Sequence, residues 1–203
     1  MLVYSYSELS QSKLDLVKLN LGCGDFPLSD YLNVDVRPEA KCDLVKDLNE
    51  KGAFDDLPKG KFTHINLFHC LEHLDDVFRV MCACHEALAP GGVLRIRVPH
   101  FSRGLTNTEH KRGFDVGFPY YFDNKLPSFY YGPTYELVSL RLDWAIRFDI
   151  YSMVIPMWQI SVLKFLNGIF TFFANLSPGL CSRLWCFWVG GFEQIEYVFK
   201  KPI

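Results

Sequence analysis

A chain of 203 residues, 49% of them apolar, can build one domain with a substantial core. A net charge of −2 without a long Lys/Arg block argues against a broad nucleic-acid surface, although a small basic pocket would not show in the total. Seven cysteines, an odd number with no C-x-x-C pair, and a Met1 to Lys13 stretch without a basic start and apolar core fit a reducing compartment, so cytoplasmic is the default.

Short apolar runs predict strands at Val17 to Leu21, Tyr31 to Val36, Asp43 to Val45, Phe62 to Phe68 and Val93 to Val98, which together imply an α/β fold with a parallel sheet. Asp75 to Leu88 reads as a helix with an acidic first turn and a Val77, Val80, Met81, Cys84, Leu88 stripe, stopped by Pro90-Gly91-Gly92. The connection from Gly24 to Tyr31 is too short for a full crossover helix. Beyond Pro99, Phe101 to Tyr131 is dense in Gly, Pro, Tyr and Phe. It follows the C-terminal end of a strand, where open sheets bind ligands, and residues 101–135 are therefore expected to form a substrate lid. Val138 to Tyr151 is expected as a sixth strand and Phe192 to Lys200 as a seventh, with an apolar helical insertion over residues 152–185 between them, all within one domain of residues 1–203. From Ile150 to Leu176 the one charge is Lys164. Pro156, Gln159, Lys164, Asn167 and Gly168 interrupt what a membrane span would need, roughly twenty apolar residues. A buried strand plus an amphipathic helix is the expectation, with a helix lying on a membrane surface or lining a greasy pocket as the alternative.

The segment Leu19-Asn20-Leu21-Gly22-Cys23-Gly24-Asp25, followed by Tyr31-Leu32-Asn33-Val34-Asp35-Val36, offers backbone to one end of a nucleoside and an acid to its ribose. The third glycine of a dinucleotide fingerprint is missing, and Asp35 comes thirteen residues after Gly22 rather than about twenty. An adenosine cofactor without phosphates fits better. Here the chain resembles the class I S-adenosylmethionine-dependent methyltransferases, from about Val17 to about His100. The matching pieces are Leu21-Gly22-Cys23-Gly24, Asp35, Asp47, Leu57-Pro58 ahead of the fourth strand, Cys70-Leu71-Glu72-His73-Leu74, and Leu88 to Ile96 as a helix-to-strand turn. The resemblance implies a Rossmann-like, doubly wound, mostly parallel sheet with an antiparallel last strand, here with a shortened first crossover helix. It implies S-adenosyl-L-methionine as cofactor, held by Asn20, Gly22, Cys23, Gly24, Asp35 at the ribose, Asp47 with the Leu48 amide at the adenine, and His69. Asn20 stands where many members carry an acid, and Asp47 reads equally as a cap for Asn49 onward.

His69-Cys70-Leu71-Glu72-His73 also matches H-x-x-E-H, a zinc pattern that requires a helix to bring both rings to one point. It directly follows a predicted strand, so no metal is expected there. In the resembling family a Leu-Glu-His segment orders the loop beside the sulfonium. A Pro-His-Phe followed by a His-Lys-Arg is similar to predicted methyltransferases of bacterial surface-polysaccharide pathways. His110, in Glu109-His110-Lys111-Arg112, is the expected general base, with His100 as the next candidate. Arg103, Arg112 and Glu72 are expected to contact the substrate, and the cysteines to pack. The Asn/Asp-Pro-Pro-Tyr/Phe segment of base-amine methylation is absent after the fourth strand, and no cysteine nucleophile follows Pro99. A small-molecule or saccharide acceptor, most simply through oxygen, is therefore expected. The rival is a non-catalytic adenosylmethionine-fold protein that binds a partner through its aromatic loop and C-terminal helix.

Overall fold

The computed structural model describes residues 2–123 and 132–203. After a short helix α1 (Gln11–Leu14), the chain forms β1 (Lys18–Leu21), β2 (Leu32–Asp35), β3 (Leu44–Val45), β4 (Phe62–Phe68), α2 (Val77–Ala87) and β5 (Leu88–Pro99). Then come α3 (Phe101–Gly104), β6 (Glu136–Asp143), α4 (Phe148–Val154), α5 (Met157–Leu176), α6 (Pro178–Arg183) and β7 (Gln194–Lys200). The seven strands make one sheet in the order β3-β2-β1-β4-β5-β7-β6. The first five in that order are parallel, and β7 runs antiparallel to both β5 and β6. Of the expected lid, residues 124–131 lie outside the described residues.

β2 is buried along its whole length, yet two of its four residues are polar. Asn33 explains how parallel β1 and β2 are joined with no helix between them. Its Oδ1 accepts from the Leu28 N–H at 2.8 Å and from Asn20 Nδ2 at 3.0 Å. Its own Nδ2 donates to the Leu28 and Tyr31 carbonyls, both at 2.9 Å. One buried amide thereby satisfies the polar groups that a crossover helix would satisfy internally. The expected shortened helix is here a turn without helix.

Helix α2 starts two residues later than expected, because Asp76 is its cap and accepts from the Arg79 N–H at 2.9 Å. It also ends before Pro90: Leu88 already pairs with Phe62, and Ala89 to Gly92 bulge out before Val93 resumes opposite His64. β5 is half-buried. Leu94, Ile96 and Val98 face the core, while Arg95 and Arg97 reach Glu196 across the β5–β7 pair.

The apolar C-terminal region departs from expectation. β6 ends at Asp143, so the strand foreseen to Tyr151 is replaced by a turn and α4. α5 is not a core helix: of its twenty residues Ile160, Thr171 and Ala174 are buried, while Trp158, Phe165, Phe172 and Phe173 stand in solvent. It is amphipathic in reverse. Asn167, Thr171 and Asn175, spaced by four on one face, accept from the backbone amides of Ala145, Trp144 and Leu142 at 2.9, 3.2 and 2.9 Å. Asn175 Nδ2 also donates to the Leu142 carbonyl at 2.7 Å. β6 is an edge strand whose free backbone needs partners, and the polar stripe supplies them, which turns the aromatic stripe outward. Replacing Asn175 by Ala should cost about 1–3 kcal/mol in urea unfolding, because it strands the Leu142 amide and carbonyl. Phe172→Ser on the outer face should stay within about 0.5 kcal/mol of the parent.

Candidate active site

A cleft of about 980 Å³ opens at the C-terminal ends of β1, β4 and β5, the position at which open α/β sheets bind ligands. Asn20, Gly22, Cys23 and Gly24 form one wall, and His69, Glu72, His73, Arg103 and His110 close the other end. Gly22 sits at φ +67°, and a Cβ there would lie 2.6 Å from Cys70 Sγ, so only glycine allows the turn to approach β4. Cys23 is buried with its thiol pushed up to about 12, by burial first and then by Asp35, so it is an inert wall residue.

Asp35 does not line this cleft. Its Oδ2 accepts the Gly24 N–H at 2.7 Å, and its Oδ1 takes the Arg37 N–H at 3.0 Å and Arg37 Nε at 3.3 Å. The acid shapes the glycine turn and presents Arg37 to the cleft in its place. Asp47 accepts from the Asn49 N–H at 2.8 Å, the capping alternative, and neither it nor buried Leu48 borders the cleft. The glycine wall therefore fits the cofactor's backbone-contacting part. The ribose acid fits only if Arg37 releases Oδ1.

At the other end, β4 stops at Phe68 and His69 adopts φ +53°, a left-handed conformation unusual for a side-chain-bearing residue. This bend sends the chain into a 3₁₀ turn, Leu71–His73. The loop after β5 docks on that turn through the Lys111 N–H, which donates to the Glu72 carbonyl at 2.8 Å, and through Lys111 Nζ to Asp75 at 2.6 Å. These bonds bring His110 over Glu72. Glu72 is fully buried, and neither carboxylate oxygen accepts a hydrogen bond. His69 Nδ1 stands 3.5 Å and His110 Nε2 4.0 Å from Glu72 Oε1. Each ring has already committed its other nitrogen: His69 Nε2 to Gln194 Oε1 at 2.9 Å, and His110 Nδ1 to the Gly104 carbonyl at 2.5 Å. His73 Nδ1 likewise lies 3.2 Å from the Glu109 carbonyl. A buried carboxylate that faces two imidazoles yet accepts no hydrogen bond is costly to hold, so this arrangement marks a site rather than a support.

Of the remaining expected residues, Arg103 lines the cleft but is spent: Nε donates to the Gly190 carbonyl at 2.6 Å and Nη1 to Glu193 at 3.2 Å. Glu193, missed in the sequence, also accepts from the Ile146 N–H at 2.6 Å and from the Tyr151 hydroxyl, and so ties α4 to the cleft rim. Arg112 faces a separate cleft of about 810 Å³ and donates to the Asp75 carbonyl at 2.9 Å, which removes it from this site. His100 is also corrected: it is fully enclosed, between Ser102 Oγ at 2.7 Å and Ser182 Oγ at 2.8 Å, and cannot meet a substrate. Burial pushes its imidazole down to about 4, against a coulombic pull from Asp115. The unfolded chain then binds a proton that the folded one refuses, so stability is lost as pH falls from about 6.5 to about 4, by about 3 kcal/mol. Urea unfolding across that window should show the decline, and His100→Gln should flatten it.

Residues 18–138, more than half of the chain, match the model of a family described as a methyltransferase domain. No curated protein matches the chain. Among solved structures, it is similar to an S-adenosylmethionine-dependent methyltransferase from Archaeoglobus fulgidus (TM-score 0.57, 16% identity, covering 91% of this chain and 85% of that one). One from Mesorhizobium loti gives 0.50 at 14%, with 94% and 95% covered. A putative sarcosine dimethylglycine methyltransferase from Galdieria sulphuraria gives 0.51 at 15%, with 91% and 77% covered. At these identities the likeness is one of fold. The chain belongs to the methyltransferase-domain family, in its class I, Rossmann-like form. It is an S-adenosylmethionine-dependent methyltransferase, and the glycine wall is the part of the cleft suited to that cofactor.

Proposed function

We propose that the chain methylates a hydroxyl of a small-molecule or saccharide acceptor, with the acceptor oxygen at the Glu72 and His110 end of the cleft. The observation that carries this is the orientation of His110. Its Nδ1–H is held by the Gly104 carbonyl, which leaves Nε2 facing the cleft as the atom able to take a proton. A sulfonium methyl is already activated, so an amine acceptor needs only positioning, whereas a hydroxyl needs its proton removed. The charge pattern favours a neutral acceptor. Each of the four cleft arginines is already paired: Arg37 with Asp35 and Asp25, Arg97 with Glu196, Arg103 with Glu193 and Arg147 with Asp149. Polyhydroxylated compounds suit such a cleft better than phosphorylated ones.

His110→Ala should lower methyl transfer to a hydroxyl acceptor by about a hundredfold to ten-thousandfold while leaving S-adenosylhomocysteine affinity unchanged. A loss below threefold in steady-state assays with a panel of saccharides would remove His110 from the chemistry.

We further propose that the outward aromatic face of α5 rests on a lipid surface, with the cleft close to it. α5 is about 30 Å long, its one charged residue is Lys164, and Trp158, Phe165, Phe172 and Leu176 are exposed along it. Its polar stripe is engaged with the protein, so this reading has the helix lying flat rather than crossing. The full chain should float with neutral phosphatidylcholine vesicles on a density gradient, and Phe165→Glu combined with Phe172→Glu should leave it at the bottom.

A further inference from the structure

We infer that Glu72, His73 and His110 form a binding site for a divalent first-row transition cation at the end of the cleft. One ligand atom from each of the three lies within 4.8 Å of the other two. The second observation is independent of that clustering: the Glu72 carboxylate is fully buried, with both oxygens lacking any hydrogen-bond donor. None of the three imidazoles around it makes a hydrogen bond to it. His110 directs its N–H at the Gly104 carbonyl and His73 places Nδ1 by the Glu109 carbonyl, the outer hydrogen bonds that set a ligating histidine's tautomer. The Gln194 amide nitrogen donates to Asp143 at 2.9 Å, which turns its oxygen to His69. His69 Nδ1 then faces the Glu72 carboxylate at 3.5 Å. A buried carboxylate that accepts no hydrogen bond calls for a positive charge beside it, and a cation held by these side chains supplies one.

Two imidazoles and one carboxylate suit Mn²⁺, Fe²⁺, Co²⁺ or Zn²⁺, whereas an all-oxygen set would suit Mg²⁺ or Ca²⁺. With bonds near 2.1 Å, neighbouring ligands sit about 3.0–3.4 Å apart, so a pair at the 4.8 Å limit closes by about 1.4–1.8 Å on the cation. Lys111, which joins the His110 loop to the Glu72 turn, lets them move as a unit. The H-x-x-E-H pattern was expected to bind nothing because its two histidines lack a helix. The site here takes His110 from the loop in place of His69.

The consequence rests on the hydroxyl-acceptor reading above, but with His110 Nε2 held by the cation, so that the cation takes over the activating role assigned there to His110 as base. A cation lowers the acceptor's proton affinity. The proton leaves to water, an oxygen lone pair forms the O–CH₃ bond, and the C–S bond breaks with its pair returning to sulfur as S-adenosylhomocysteine.

The test uses the full chain without an affinity tag, stripped with EDTA, dialysed and titrated with Co²⁺. A single saturable equivalent with visible d–d absorption and a raised Tm is expected. Both should be lost in His73→Ala, His110→Ala and Glu72→Gln, the last of which keeps the core's shape and is checked by circular dichroism. No saturable Co²⁺ absorption, or equal absorption in all three variants, overturns the site. Stripping should also lower methyl transfer about tenfold or more, with Mn²⁺ or Co²⁺ restoring it. If stripped protein keeps full turnover while His110→Ala does not, the cation site fails and the hydroxyl reading stands.

Discussion

The cofactor end of this protein depends on two polar side chains placed in a fully buried strand. Asn33 and Asp35 in β2 hold, respectively, the Leu28–Tyr31 turn and the Gly24 amide. Without them the β1–β2 connection, which has no helix, would leave amides and carbonyls unsatisfied at the sheet edge. With them, the glycine turn is kept open and its backbone faces the cleft. Burying an amide and a carboxylate is tolerable because each accepts or donates several bonds within the chain. The same carboxylate that builds the turn is therefore drawn away from the cleft surface.

Glu72 is the counterpart at the other end. Its carboxylate is buried to the same degree, but nothing donates to it. Asp35 shows how this chain satisfies a buried acid when the acid's task is structural, and Glu72 departs from that pattern at the point where His69, His73 and His110 meet. The left-handed backbone at His69 is part of the same construction, since it turns β4 directly into the Glu72 segment. Conformational cost and charge cost thus fall together on one wall of the cleft.

Most of the sheet was legible because parallel strands announce themselves as short apolar runs and Phe62 to Phe68 keeps its bounds unchanged. The glycine turn and the lack of room for a full crossover helix were equally readable from spacing, and the antiparallel β7 followed from the family resemblance. Two things were not. The direction in which α5 faces is set by hydrogen bonds from Asn167, Thr171 and Asn175 to the edge of β6, a tertiary relation that no periodicity encodes. Asn167 looked like an interruption of an apolar helix, when with Thr171 and Asn175 it forms the inner face. At the site, His110 and Glu72 are far apart in sequence, and their meeting depends on the Lys111 amide, so His73 was set aside with the helix-based zinc pattern. His100 misled because a histidine after a strand end is indistinguishable in sequence from one enclosed by two serines.

The cleft beside the glycine turn suits a phosphate-free adenosine cofactor. Isothermal titration of the full chain with S-adenosylhomocysteine, with NAD as the parallel titrant, tests this most directly. Saturable binding of S-adenosylhomocysteine without binding of NAD is predicted; tighter binding of NAD would contradict it.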